Sequence, residues 1–145
     1  RYTKSLREDE GGTYGASAYG SVTSEPKPEA LIQVYFDTKP VAADKLISLS
    51  LEGLNALAAE GPTADEFDMA MKNLHKNLPE SRITNGWWMN SLKFMDLHSV
   101  DFDKEYESAL ENLKPADVQN IVKTILASGT VKTVIMRPGV TAEAE

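Results

Sequence analysis

Arg7 and Tyr14 stand seven positions apart, on either side of Gly11 and Gly12. A guanidinium is a permanent cation with five N–H donors, and a phenol is a neutral donor near pH 7. Aimed into the same space, the two could hold a carbonyl oxygen while negative charge develops on it. A plainer account is also open. Arg7 could pair with a carboxylate of the adjacent Glu8-Asp9-Glu10 run, and Tyr14 could fill the space between a sheet and its helices. The residue types and their spacing leave both accounts standing.

Other chemistries find less support. His75 and His98 are the only imidazoles and fall in different predicted helices. A zincin helix needs two histidines one turn apart with a glutamate between them, and neither histidine has such a partner. Both read as surface or interface residues, and no metal or cofactor site is expected within this chain. There is no cysteine, which excludes disulfides and thiolate ligands. The glycines at 11, 12 and 15 precede a strand rather than a helix, so they form no phosphate cradle. No serine sits in a G-x-S-x-G elbow. The acidic groups Asp65, Glu66 and Asp68, and Glu105 with Glu107, read as solvated surface. Trp87 and Trp88 are adjacent, so on a helix they diverge by about 100° and both bury only if the helix is covered on two sides. Core packing plus a surface that wants a partner is the expected reading; a peptide-binding wall is the other.

The elements that must position Arg7 and Tyr14 follow from patterning. Residues 1–9 read as a helix end, stopped by Gly11 and Gly12. Residues 13–24 alternate like a strand, with Tyr14, Ala16, Ala18, Gly20 and Val22 on one face, and Thr13, Gly15, Ser17, Tyr19 and Ser21 on the other. A proline-rich turn at 25–29 leads to a second strand at 30–38, expected to pair antiparallel with the first. Pro40 opens a helix to Glu60, which Gly61-Pro62 stops. Thr63 and Glu66 have capping-box spacing for the next helix, which Pro79 should end or kink. Further helices are expected over 85–99, over 103–113, and from Pro115 to a stop at Gly129. Residues 130–137 read as a closing strand returning to the sheet, followed by a frayed tail. Strand, strand, helices, strand is an α+β order. We expect one domain over 1–138 and a flexible tail over 139–145.

Bulk properties agree. The chain has 145 residues, about one domain, and its 41% hydrophobic and 26% charged content is ordinary for a globular protein with a real core. A net charge of −7 argues against nucleic acid, which needs a basic face. No apolar run approaches the roughly 20 residues that cross a bilayer, so membrane insertion is not expected. The chain opens on Arg1 inside a predicted helix and without an initiator Met, which reads as a fragment truncated at its N-terminus. The compartment is left open: a soluble chain suits bacterial periplasm and cytoplasm alike.

Three segments resemble the distal half of the M16 metallopeptidases, the inverted zincins of the pitrilysin, insulin-degrading and mitochondrial-processing group. They are Leu6-Arg7 followed by Tyr14 and a strand of small and hydroxyl residues; Gly61-Pro62-Thr63-Ala64-Asp65-Glu66-Phe67; and Leu113-Lys114-Pro115-Ala116-Asp117-Val118-Gln119. The resemblance implies an antiparallel sheet covered by helices, part of an M16-type α/β roll (the LuxS/MPP-like metallohydrolase fold). It implies a zinc-dependent endopeptidase built of two such halves that close on an extended peptide. Zinc would be bound by an H-x-x-E-H motif in the N-terminal half, and this distal half alone would be inactive. Arg7 and Tyr14 would contact the substrate carbonyl and the oxyanion. The implied partners are the N-terminal half or a partner subunit, and a peptide substrate. Two other readings stay open: a noncatalytic M16-like homologue serving as partner or scaffold subunit, and an α+β domain unrelated to proteolysis.

Overall fold

The computed structural model describes Tyr2, Leu6 and residues 13–137, with Tyr14 given by its backbone alone. The chain forms two compact units, one from Arg1–Glu60 with Ile121–Glu145 and one from Gly61–Asn120.

The first unit is built on a hairpin. Strand β1 (Thr13–Thr23) pairs antiparallel with β2 (Glu29–Thr38), as the alternation predicts. Along β2 the side chains of Ile32, Val34, Phe36 and Thr38 are half-buried, while Leu31, Gln33, Tyr35 and Asp37 are exposed. Small residues of β1 stand opposite the bulky ones, Gly20 against Ile32, Ala18 against Val34 and Ala16 against Phe36. The small β1 residues leave space over the face on which Ile32, Val34 and Phe36 are half-buried.

One part of the expected alternation fails. Thr13 pairs with Thr38 and Ala16 with Phe36, so two β1 residues, Tyr14 and Gly15, oppose Asp37 alone. This β-bulge resets the period. Thr13 therefore shares the half-buried face with Ala16 rather than the opposite face with Ser17, and it is only 8% exposed.

After β2 the chain passes through a 3-10 turn (Pro40–Ala42) into helix α1 (Ala43–Glu60), close to the predicted span. Leu46 on α1 and Leu6 are fully buried. The Tyr2 hydroxyl donates to the Ser50 carbonyl at 2.8 Å, and the Ser50 hydroxyl donates to the Leu46 carbonyl at 2.7 Å. Gly61 follows α1 at φ +78°, the left-handed conformation that closes a helix at no Cβ cost.

The second unit is helical. α2 (Ala64–Arg82), α3 (Asn85–His98) and α4 (Phe102–Asn112) pack through buried Leu78, Ser91 and Leu110. α2 opens on the predicted capping box: the Glu66 amide donates to the Thr63 hydroxyl and the Thr63 amide to the Glu66 carboxylate. The expected stop at Pro79 does not occur, and α2 runs on to Arg82. Contacts at its last turn, described below, hold it beyond the proline.

α5 (Pro115–Ala127) contributes buried Val122 to the first unit, and Gly129 at φ +70° follows it as predicted. The predicted closing strand is not formed. Residues 130–137 pair with no strand, and among the described residues the sheet has β1 and β2 alone. The alternation is present in the sequence there, but Val134 and Met136 are 91% and 96% exposed, with no neighbouring strand to receive them. The tail expected over 139–145 lies outside the described residues.

Candidate functional site

Of the two residues singled out by chemistry, Arg7 lies outside the described residues, as do Gly11 and Gly12, and Tyr14 is placed in β1 by its backbone. The local structure at Tyr14 is the bulge. There the Thr13 hydroxyl donates to the Gly15 carbonyl at 2.8 Å and accepts from the Gly15 amide at 3.2 Å. Both backbone groups of the bulged residue are thereby satisfied by one buried side chain. A bulge bends its strand and re-aims the side chains beside it, and bulges occur often next to active sites.

Asp37, opposite the bulge, accepts a hydrogen bond from the Tyr35 hydroxyl at 2.9 Å. That bond, together with the nearby carboxylate charge, holds the Tyr35 phenol above its ordinary pKa. Tyr35 therefore keeps its proton across the neutral range and donates it in a hydrogen bond to Asp37. Tyr19, Leu31 and Tyr35 make this side of the hairpin an exposed face with a strong aromatic content.

An open groove of about 250 Å³ lies between the hairpin and α5. Gly20, Val22, Ala30, Leu31 and Ile32 of the hairpin line it, with Ile121 and Ile125 of α5. It contains no titratable or metal-ligating side chain, so it can bury apolar groups but cannot move protons.

The helical unit contains a polar cluster that sequence reasoning missed. Arg82, at the end of α2, donates to both carboxylate oxygens of Asp103 at 2.7 and 2.9 Å and to Glu107 at 2.8 Å. The Trp87 indole N–H donates to Asp103 at 2.7 Å, and its ring packs at 5.2 Å against both Phe102 and Tyr106. The Arg82 guanidinium, then the Trp87 indole, hold the Asp103 carboxyl below the usual range against a desolvation that opposes them. The Arg82 pKa is raised in turn by its bonds to Asp103 and Glu107. All four side chains are mutually satisfied, so the cluster reads as a clamp on three helices. The tandem tryptophans divide as their angular separation requires. Trp87 packs inside this cluster, whereas Trp88 is 49% exposed and its indole N–H donates to the Arg82 carbonyl at 2.7 Å.

His75 and His98 are exposed on α2 and α3, and His98 packs on Phe94 at 5.3 Å. Among the described residues no group of three or more His, Asp or Glu side chains is placed to hold a metal ion. No helix among them is long and apolar enough to cross a membrane. The second and third of the segments that carry the M16 resemblance turn out to be helix starts. One is the Thr63–Glu66 box; in the other the Lys114 amide donates to the Asp117 carboxylate at 2.8 Å ahead of α5.

Comparison with solved structures finds a similar fold in the periplasmic protease PqqL from Escherichia coli. The TM-score is 0.64 and the identity 21%, over 83% of this chain and 14% of that one. The chain thus spans a small part of that protease's length. No curated protein sequence matches. The family described as the peptidase M16 inactive domain matches residues 1–74, which include Arg7, Tyr14 and the whole hairpin. The chain is a member of that M16 peptidase family.

Proposed function

We propose that this chain is the substrate-gripping half of a zinc-dependent endopeptidase that encloses and cleaves extended peptides. Zinc does not fit the described residues of this half, whose two histidines lie on different helices and among which no three His, Asp or Glu side chains are grouped to hold a metal. The metal belongs to the partner half, and no metal-dependent step is assigned to this chain. Arg7 and Tyr14 have the other task. As water attacks the scissile carbonyl, its oxygen gains negative charge. A guanidinium and a phenol that donate to that oxygen stabilise the transition state more than the ground state. Supplied from one half of a closing shell, they complete the site only around a bound peptide.

The observation that carries this reading is the family match across residues 1–74, which spans both donors. The bulge at Tyr14 supports it, because a strand residue meant to reach a substrate benefits from a break in the pleat. In the intact peptidase, Tyr14→Phe should lower kcat/KM on an internally quenched fluorogenic peptide by about 10²–10³, the usual loss of one oxyanion donor. Parental kcat/KM in that variant rules the reading out.

The family's own description as an inactive domain favours a second reading, a noncatalytic homologue that binds peptides or stabilises a partner subunit. Metal analysis of the intact protein separates the two. A catalytic parent holds stoichiometric zinc, and a noncatalytic one does not.

A further inference from the structure

The geometry points to Thr13 as a positioning residue that sets the direction in which Tyr14 leaves its strand. The inference rests on the role proposed for Tyr14 and adds to it the device that aims it. Two residues of β1 oppose one of β2 at this point, which strips Gly15 of regular ladder partners. A bulge of this kind is commonly closed by a glycine in the left-handed region. Gly15 is not among the positive-φ residues, and a Cβ built on it would meet nothing within 4 Å. Neither glycine's conformational freedom nor close packing therefore explains the bulge. What closes it is the Thr13 hydroxyl, which spans Gly15 by donating to its carbonyl and accepting from its amide. Thr13 is itself anchored, buried on the helix-facing side of the hairpin and paired with Thr38. Tyr14 lies between the anchor and the residue it grips. Without the hydroxyl, the two Gly15 groups turn to water or to β2, and the register between 13 and 16 is free to relax. Tyr14 would then start from a different backbone direction, and a misplacement of about 1 Å costs up to 10²-fold in rate.

The test uses the intact peptidase, the quenched fluorogenic peptide and a double-mutant cycle. Thr13→Val keeps the shape and removes the hydroxyl; Thr13→Ser keeps the hydroxyl. The expected result is an about tenfold fall in kcat for Thr13→Val with KM changed less than about twofold, since geometry rather than uniform binding is lost. Thr13→Ser should restore kcat to within about twofold of the parent. On a Tyr14→Phe background, Thr13→Val should cost nothing further, because the group it aims is already gone. Parental kcat in Thr13→Val overturns the inference, as does the same fractional loss with and without the Tyr14 hydroxyl. If Tyr14→Phe itself has parental kcat/KM, the proposed role of Tyr14 falls instead, and the inference falls with it.

Discussion

A carboxylate that accepts from a guanidinium and an indole together resists protonation, and Asp103 is in that position. Its pKa is lower in the folded protein than in the unfolded chain, first through Arg82 and then through Trp87. The sign of the linkage follows. The stabilisation is complete above the unfolded carboxylate value of about 3.9 and is lost as pH falls through the lower folded value. Urea unfolding followed by circular dichroism at a series of pH values should show stability dropping below about pH 4. Asp103→Asn should be less stable than the parent at pH 7 and should show a shallower acid limb. An unchanged acid limb would mean that other carboxylates carry it. Nothing in the sequence marks this clamp, because Arg82 and Asp103 are 21 residues apart and meet only when α2 and α4 pack. Arg7 and Tyr14 could be singled out as candidates because their spacing is local in sequence. The Thr13 hydroxyl's grip on Gly15 could not be singled out, because it depends on a register shift that alternation alone does not announce.

At the scale of elements, the starts and stops of helices carried most of the legible information. Thr63 with Glu66, Gly61 and Gly129 all act where their side-chain or backbone chemistry predicts. Pro79 misled because a proline penalty is a local cost that packing can outweigh. Beyond it, the Arg82 side chain is held by α4 and its carbonyl by Trp88, so the last turn stays helical. The end of α3 shows the opposite imbalance. Ser99 closes that helix at φ 55°, ψ 34°, in the left-handed region, with its amide bonded to the Met95 carbonyl. A Cβ in that conformation costs roughly 1–2 kcal/mol, and glycine avoids the cost while keeping the amide. Part of that gain is offset by the greater freedom of glycine in the unfolded chain. Ser99→Gly should therefore stabilise the protein by about 1 kcal/mol, read as a higher urea midpoint at unchanged m-value. A lower midpoint would show that the serine hydroxyl contributes more than the backbone strain removes.

For the molecule as a whole, the decisive feature is apolar surface that the fold leaves uncovered. Alternation at 130–137 was read as a strand, and the residues do have strand chemistry. What sequence does not carry is whether a neighbouring strand exists to pair with them. The segment is β-branched and apolar at Val131, Val134 and Ile135, and Met136 extends it; Gly129 and Pro138 bound it. A stretch of strand-like sequence that joins no sheet among the described residues can pair with another chain. The net charge of −7 keeps copies apart in general, but the segment's own charges, Lys132 and Arg137, are of the opposite sign. Electrostatic repulsion therefore protects it least. This 145-residue chain should self-associate in a concentration-dependent way, and more strongly as salt screens the repulsion between its acidic surfaces. Val134, at 91% exposure, contributes to the adhesive surface without supporting any described contact of its own unit. Val134→Lys should shift the chain toward monomer in size-exclusion chromatography with light scattering, with thermal stability unchanged. If parent and variant show the same mass distribution at every concentration, the 130–137 segment is not the adhesive surface. The exposed face of α3 at Trp88, Met89, Leu92 and Met95 would then be the next to test in the same way.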